Sequence, residues 1–225
     1  MRDAFRADIE VLLDRLVETA AICDHMLEGA LHALVTPGSP GAQAVIARDN
    51  DVDRAYQAIE RAVLELLALQ APVANDLRLL TGILHANIHV ERLGDYATTV
   101  AKMADVASDL VDHPDLAREL VDMGAAAGHV SRTAVRSFAD SDLAAAQKLP
   151  LLDDRVDRFN LDIFRRLVRL AAVDERCIEW ATHMVVVARS LERYGDHAVD
   201  IGEQTIFVVT GETVELSSND PHVPA

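Results

Sequence analysis

Cysteine, aromatic side chains and positive charge are all scarce in this 225-residue chain, and each scarcity removes a class of protein. The two cysteines, Cys23 and Cys177, lie far apart with no Cys-x-x-Cys and no paired histidines nearby. That argues against a disulfide scaffold or a zinc knuckle and leaves both as small core residues. Against 37 Asp and Glu there are only 21 Lys and Arg, and the net charge of −16 repels phosphate backbones and anionic headgroups. Nucleic acid and bare membrane are therefore not expected as partners. Membrane insertion is not expected either, because no apolar run approaches the roughly 20 residues that span a bilayer. The longest uncharged stretch, 29–47, is interrupted by Pro37-Gly38-Ser39-Pro40-Gly41. Acidic residues enter from the third position and no apolar run of a signal peptide follows, so the expected location is the cytoplasm. There is no GxSxG, no HExxH and no glycine-rich phosphate loop, so hydrolase readings find no support.

What is present is aliphatic. Apolar residues make up 50% of the chain and aromatics 4%, a composition rich in Ala, Leu and Val that suits packed helices better than a β-sandwich or disorder. Phe5, Ile9, Leu12, Leu16, Cys23, Leu27, Leu31 and Leu34 recur mostly three, four or seven apart and predict an amphipathic helix over 5–34. Similar periods predict helices over 42–69, ending before Pro72, and over 75–107, with Asn75 as N-cap. After a polar link at 108–114, three more are predicted at 115–139, 143–172 and 176–209. At about 1.5 Å per residue the first three are roughly 40 Å long, too long for a mixed fold and right for a bundle.

The chain also repeats itself. Asp49-Asn50-Asp51-Val52-Asp53-Arg54 returns as Asp153-Asp154-Arg155-Val156-Asp157-Arg158, an offset of 104. Glu91-Arg92-Leu93-Gly94-Asp95-Tyr96-Ala97 returns as Glu192-Arg193-Tyr194-Gly195-Asp196-His197-Ala198, an offset of 101. The expected architecture is all-α, two tandem three-helix bundles with six long helices. Residues 1–107 form the first repeat, 108–211 the second, and 212–225 a polar tail expected to be disordered.

Each repeated motif places two carboxylates at i, i+4 on one helix face: Asp49 with Asp53, Glu91 with Asp95, Asp153 with Asp157, and Glu192 with Asp196. A single such pair in so acidic a chain signifies no more than a solvated face. Like charges at this spacing cost a few tenths of a kcal/mol, so their recurrence in matched contexts points to a cation that offsets them. Oxygen-only ligands suit Mg²⁺, Ca²⁺, Mn²⁺ or iron rather than a structural zinc site. Glu203 falls about 20° from Glu192 on a helical wheel and is a third candidate ligand in the second half. Its counterpart is Lys102, so the two sites are not chemically equivalent. Gly94 and Gly195 sit where Gly costs about 1 kcal/mol relative to Ala, which close approach of a helix or metal would justify. Arg92 and Arg193 are candidates to pair with carboxylates around the ligands, solvated arginines being the alternative. His85 and His89 lie roughly 80–160° around the helix from Glu91 and Asp95, have no counterpart in the second half, and read as packing or surface histidines.

Together these motifs resemble the PhoU family of phosphate-signalling regulators, in which two three-helix repeats each carry E/DxxxD motifs. Gln70-Ala71-Pro72-Val73-Ala74-Asn75-Asp76-Leu77-Arg78 is similar to the family's segment between helices, and Glu91 to Ala97 to its most characteristic stretch. The ending Glu203-Gln204-Thr205-Ile206-Phe207-Val208-Val209-Thr210-Gly211 fits its last helix. Leu93 and Tyr194 stand where Ile is usual, and Tyr194 is expected to add bulk beside the second site. The resemblance implies a cytoplasmic, non-enzymatic regulator that couples the phosphate ABC transporter to a sensor histidine kinase and represses the phosphate-starvation response when phosphate is ample. It implies metal on the eight motif carboxylates (iron, or Mg, Mn or Zn, multinuclear sets included) and a homodimer. As partners it implies the transporter's ATPase subunit and the phosphate-sensing kinase, which would hold the protein at the inner membrane face without lipid contact.

Two other classes compete. A ferritin-like di-metal carboxylate enzyme needs Glu-x-x-His on each of two helices, and no Glu in this chain is followed three residues later by His. An acidic helical scaffold, its carboxylates serving only solubility, differs from the regulator in holding no metal.

Overall fold

The apolar period of the sequence is realised as buried stripes. In the computed structural model, which describes residues 2–111 and 113–217, α1 (Arg2–Val35) buries Phe5, Ile9, Leu12, Leu16, Cys23, Leu27, Leu31 and Leu34. Gly38, at φ 72°, turns the chain towards α2 (Gly41–Gln70). The link 71–74 carries two alanines in the left-handed region, Ala71 at φ 43° and Ala74 at φ 49°, before α3 (Asn75–Val106). Asn75 is not the N-cap it was expected to be. Ala74 holds that position without a side-chain cap, and Asn75 Oδ1 instead accepts from Arg78 Nη2 at 2.6 Å.

The second half comprises α4 (Pro114–Ala139), the single turn α5 (Leu143–Ala146), α6 (Leu149–Val173), a 3-10 turn at Glu175–Cys177, and α7 (Ile178–Thr210). The one helix expected over 143–172 is therefore two. Pro150, in the first turn of α6, has no N–H to offer an earlier carbonyl and its ring crowds the preceding turn, so continuity breaks at 147–148. Asp142 starts α5 by accepting from the Ala145 N–H at 3.0 Å. In the same way Asp174 accepts from the Arg176 N–H at 3.0 Å and holds 175–177 in a tighter turn, which delays α7 to Ile178.

α3 and α7 form the centre. Contacts run His85 to Gln204 and His89 to Asp200, one turn forward on α3 matching one turn back on α7, so the two helices pack antiparallel. Gly82 permits the approach, since a Cβ there would collide with Val208. α2 covers α1 and α3, α6 covers α4 and α7, and α1 packs on α4 across the repeats, where Arg132 Nη1 meets Asp24 Oδ1 at 2.9 Å. One continuous apolar core runs through both halves, including the fully buried Leu80, Ile83, Leu93, Leu120, Met123 and Leu167. Each such side chain contributes about 1.5–3 kcal/mol of burial. Both cysteines are free and buried, and the Cys23 thiol donates to the Val90 carbonyl at 3.3 Å. No described helix is long and apolar enough to cross a membrane.

The segment after α7 departs from expectation. Over 212–217 the chain is not loose: Leu216 is buried, Val214 packs against the core, and the Leu216 N–H donates to Glu203 Oε1 at 2.7 Å. The rest of the expected tail, 218–225, lies outside the described residues.

Candidate carboxylate metal centre

Because α6 and α7 are neighbours, their acidic faces meet. Asp153, Asp157 and Asp196 each turn a carboxylate oxygen into one cluster, all three within 4.8 Å of one another. Gly195 makes this possible, as any Cβ at that position would overlap Asp153 Oδ1. Asp153 is 7% exposed, and its Oδ1 is buried without a hydrogen-bond partner. Glu192 Oε2 is buried and unpartnered as well, while its other oxygen is held by Arg189. Burial, with Asp157, Asp196 and Glu192 adding like charge, pushes the Asp153 carboxyl up to about 8. Asp157, Glu192 and Asp196 shift the same way, from burial first and neighbouring carboxylates second. Orphaned buried oxygens among like charges are what a cation would satisfy, and the oxygen-only set fits a hard or borderline ion such as Mg²⁺, Mn²⁺ or iron.

Glu203 stands apart from this cluster, although it lines the same groove of about 300 Å³ with Asp153, Asp157, Asp196, Asp200 and Glu215. One of its oxygens is committed to the Leu216 N–H, and burial pushes its carboxyl up to about 7. It ties segment 212–217 across the groove.

The first repeat is arranged differently. Asp49, Asp53 and Asp95 lie near enough to Glu91 to raise its carboxyl, after burial and against the pull of Arg92. One oxygen each of Asp95, Glu91 and Asp49, however, is already engaged. Arg92 Nη1 donates to Asp95 Oδ2 at 2.8 Å, Arg92 Nε approaches Glu91 Oε2 at 3.5 Å, and Thr98 donates to Asp49 Oδ1 at 3.0 Å. Among the described residues no three of these carboxylates converge as those of the second repeat do.

Arg92 thus binds the candidate ligands themselves. Its counterpart Arg193 is exposed and pairs with no described carboxylate, and Arg189, one turn earlier, takes the role at Glu192. Tyr194 does not crowd the site, being wholly buried in the core near Ser131. His89, expected from the sequence to be a packing or surface histidine, reaches across to α7: its Nδ1 lies 3.0 Å from His197 Nδ1 and 3.3 Å from Asp200 Oδ2. No spacing along the chain signals that contact, because His89 lies more than a hundred residues from both partners.

Comparison with known proteins follows the same two-part division. The chain is 32% identical over 218 residues to the phosphate-specific transport system accessory protein PhoU homolog of Caulobacter vibrioides, covering 97% of this chain and 94% of that one. It is 33% identical to the homolog so named from Deinococcus radiodurans, over 94% and 99% of the two lengths. The crystal structure of PhoU from Pseudomonas aeruginosa superposes with a TM-score of 0.88 at 30% identity, covering 92% of this chain and all of that one. The PhoU domain is matched twice, over residues 16–104 and 120–205. These segments hold the duplicated motifs, one set in each, and the chain belongs to the PhoU domain family.

Proposed function

We propose that this protein acts by binding rather than catalysis and restrains phosphate uptake and the phosphate-starvation response when phosphate is ample. The observation that carries the reading is similarity along more than nine-tenths of both lengths to relatives named phosphate-specific transport system accessory proteins. Its partners in this reading are the ATPase subunit of the phosphate ABC transporter and the phosphate-sensing histidine kinase, met as a homodimer at the inner membrane face. A charge of −16 disfavours adsorption to anionic lipid, so recruitment falls to protein contacts. Deletion of the gene in a strain without a paralogue should derepress phosphate-starvation genes in high phosphate. Expression that stays low would overturn the reading in favour of an acidic scaffold.

Metal binding belongs to the same proposal. Asp153, Asp157 and Asp196, with the free oxygen of Glu192, would hold a hard or borderline divalent ion, which supplies positive charge beyond that of Arg189, whose guanidinium is bound to the other Glu192 oxygen. The first-repeat set binds more weakly, since Arg92 already neutralises Asp95. Elemental analysis after saturation with Mn²⁺ should show most of the metal lost from Glu192→Ala/Asp196→Ala and a smaller loss from Glu91→Ala/Asp95→Ala. Equal content in wild type and both variants would sink the idea.

A further inference from the structure

Where α3 of the first repeat crosses α7 of the second, three donor atoms converge: His89 Nδ1, His197 Nδ1 and Asp200 Oδ2. Their separations are 3.0 Å between the two nitrogens, 3.3 Å from His89 to Asp200 and 3.1 Å from His197 to Asp200. Hydrogen bonding satisfies this triangle only in part. If one ring carries its proton on Nδ1, that proton serves one or two contacts and leaves the other nitrogen's lone pair facing a carboxylate oxygen. If both rings carry it there, both can donate to Asp200 Oδ2 only with two like N–H dipoles crowded side by side at 3.0 Å. A cation at the centre satisfies all three at once, and the distances suit it, because donors about 2.0–2.1 Å from one ion lie roughly 3–3.4 Å apart.

The outer contacts prepare the rings for this role. Tyr96 Oη lies 3.4 Å from His197 Nε2, where an Nε2–H bond to the phenol leaves the Nδ1 lone pair free, and the two rings stack at 5.6 Å between centroids. The side chains are partly open, at 20% for His89, 25% for His197 and 36% for Asp200, so an ion can enter. The duplication supplies an internal contrast. Shifted by the 101-residue offset, His89, His197 and Asp200 correspond to Ser190, Tyr96 and Thr99, none of which is a comparable donor. The seam therefore has this donor set at one of its two equivalent places.

We propose that His89, His197 and Asp200 form a metal centre of mixed nitrogen and oxygen donors, beside the carboxylate cluster whose groove Asp200 also lines but with its own ligand atoms, that holds a divalent transition metal of the zinc or ferrous class across the two repeats. Two imidazoles and one carboxylate suit such ions and not Mg²⁺ or Ca²⁺, which prefer all-oxygen sites. The ion ties α3 to α7 and so couples the halves.

Co²⁺ titrated into metal-free full-length protein tests this directly. The wild type should develop the strong visible absorption of nitrogen-ligated Co²⁺ of low coordination number, together with paramagnetically shifted exchangeable imidazole protons in its NMR spectrum. Both signals should vanish in His89→Ala and in Asp200→Asn, each checked for helical content, and persist in Asp153→Asn. Absence of the signals from wild type, their survival in His89→Ala, or their loss in Asp153→Asn would overturn the proposal. Failure of the carboxylate centre would show separately, as Mn²⁺ binding undiminished in Asp153→Asn.

Discussion

Metal-free protein should melt at a higher temperature at pH 6 than at pH 8, and Asp153→Asn should remove most of that difference while raising the melting temperature at pH 8. The sign follows from proton uptake. Asp153 has a folded pKa of about 8 against an ordinary 3.8, so folding binds a proton between these values. The stability this group contributes is fully present below its ordinary pKa and is lost as pH rises through about 8. Glu203, pushed up to about 7, slopes in the same direction over a narrower range. A proton taken up on folding is worth ~1.4 kcal/mol per pH unit, so a change of a few kcal/mol is expected. In a chain of this length that is roughly 5–10 °C. Asn keeps the shape and loses the charge, so it removes the buried like-charge conflict at Asp153. Divalent metal should do the same for wild type, because an ion competes with the proton for the same oxygens. Melting curves at the two pH values, with and without Mn²⁺, check this. A metal-free wild type equally stable at both pH values, or an Asp153→Asn variant that still gains stability from Mn²⁺ as wild type does, would show that the cluster is not the cation site.

How much of this was legible in the sequence depends on the range over which each cause acts. The stripe from Phe5 to Leu34 and the duplicated motifs are local patterns, and they specified six helices and placed acidic faces on helices two and three of each repeat. Pro150 is equally visible, but the apolar period continues through it and masks the break it causes. The inequality of the two acidic sites was legible only in part. Lys102 against Glu203 signalled a difference, but the structure puts Lys102 on the surface and makes Arg92 the cation that occupies the first site. Which side a side chain takes among several charged neighbours depends on helix rotation and tertiary distance, and no spacing records these. The meeting of His89 with His197 and Asp200 lies further beyond reach, since it depends on how α3 and α7 cross.

The glycines test that inequality most sharply, because Gly94 and Gly195 occupy the same place in the two copies of one motif. At Gly94 a Cβ would sit 3.1 Å from Val52 Cγ1, a tight contact that a shift of a few tenths of an ångström relieves, and at an ordinary 3.5 Å from Cys23 Sγ. Ala also gains about 1 kcal/mol over Gly in a helix interior, which offsets the crowding. Gly94→Ala should therefore change stability by less than about 1 kcal/mol and leave metal binding intact. At Gly195 the Cβ would overlap the Asp153 carboxylate, which is packed between α6 and α7. Either the carboxylate swings out of the cluster or the helices part, and overpacking of this kind costs typically ~1–3 kcal/mol. Gly195→Ala should thus lose most Mn²⁺ binding, with far-UV circular dichroism still showing a helical protein. The decisive comparison is metal content per chain in the two variants prepared side by side. Equal retention in both would mean that the close approach of α6 to α7 at Gly195 serves packing alone and that the second repeat's carboxylates do not need Asp153 to hold an ion.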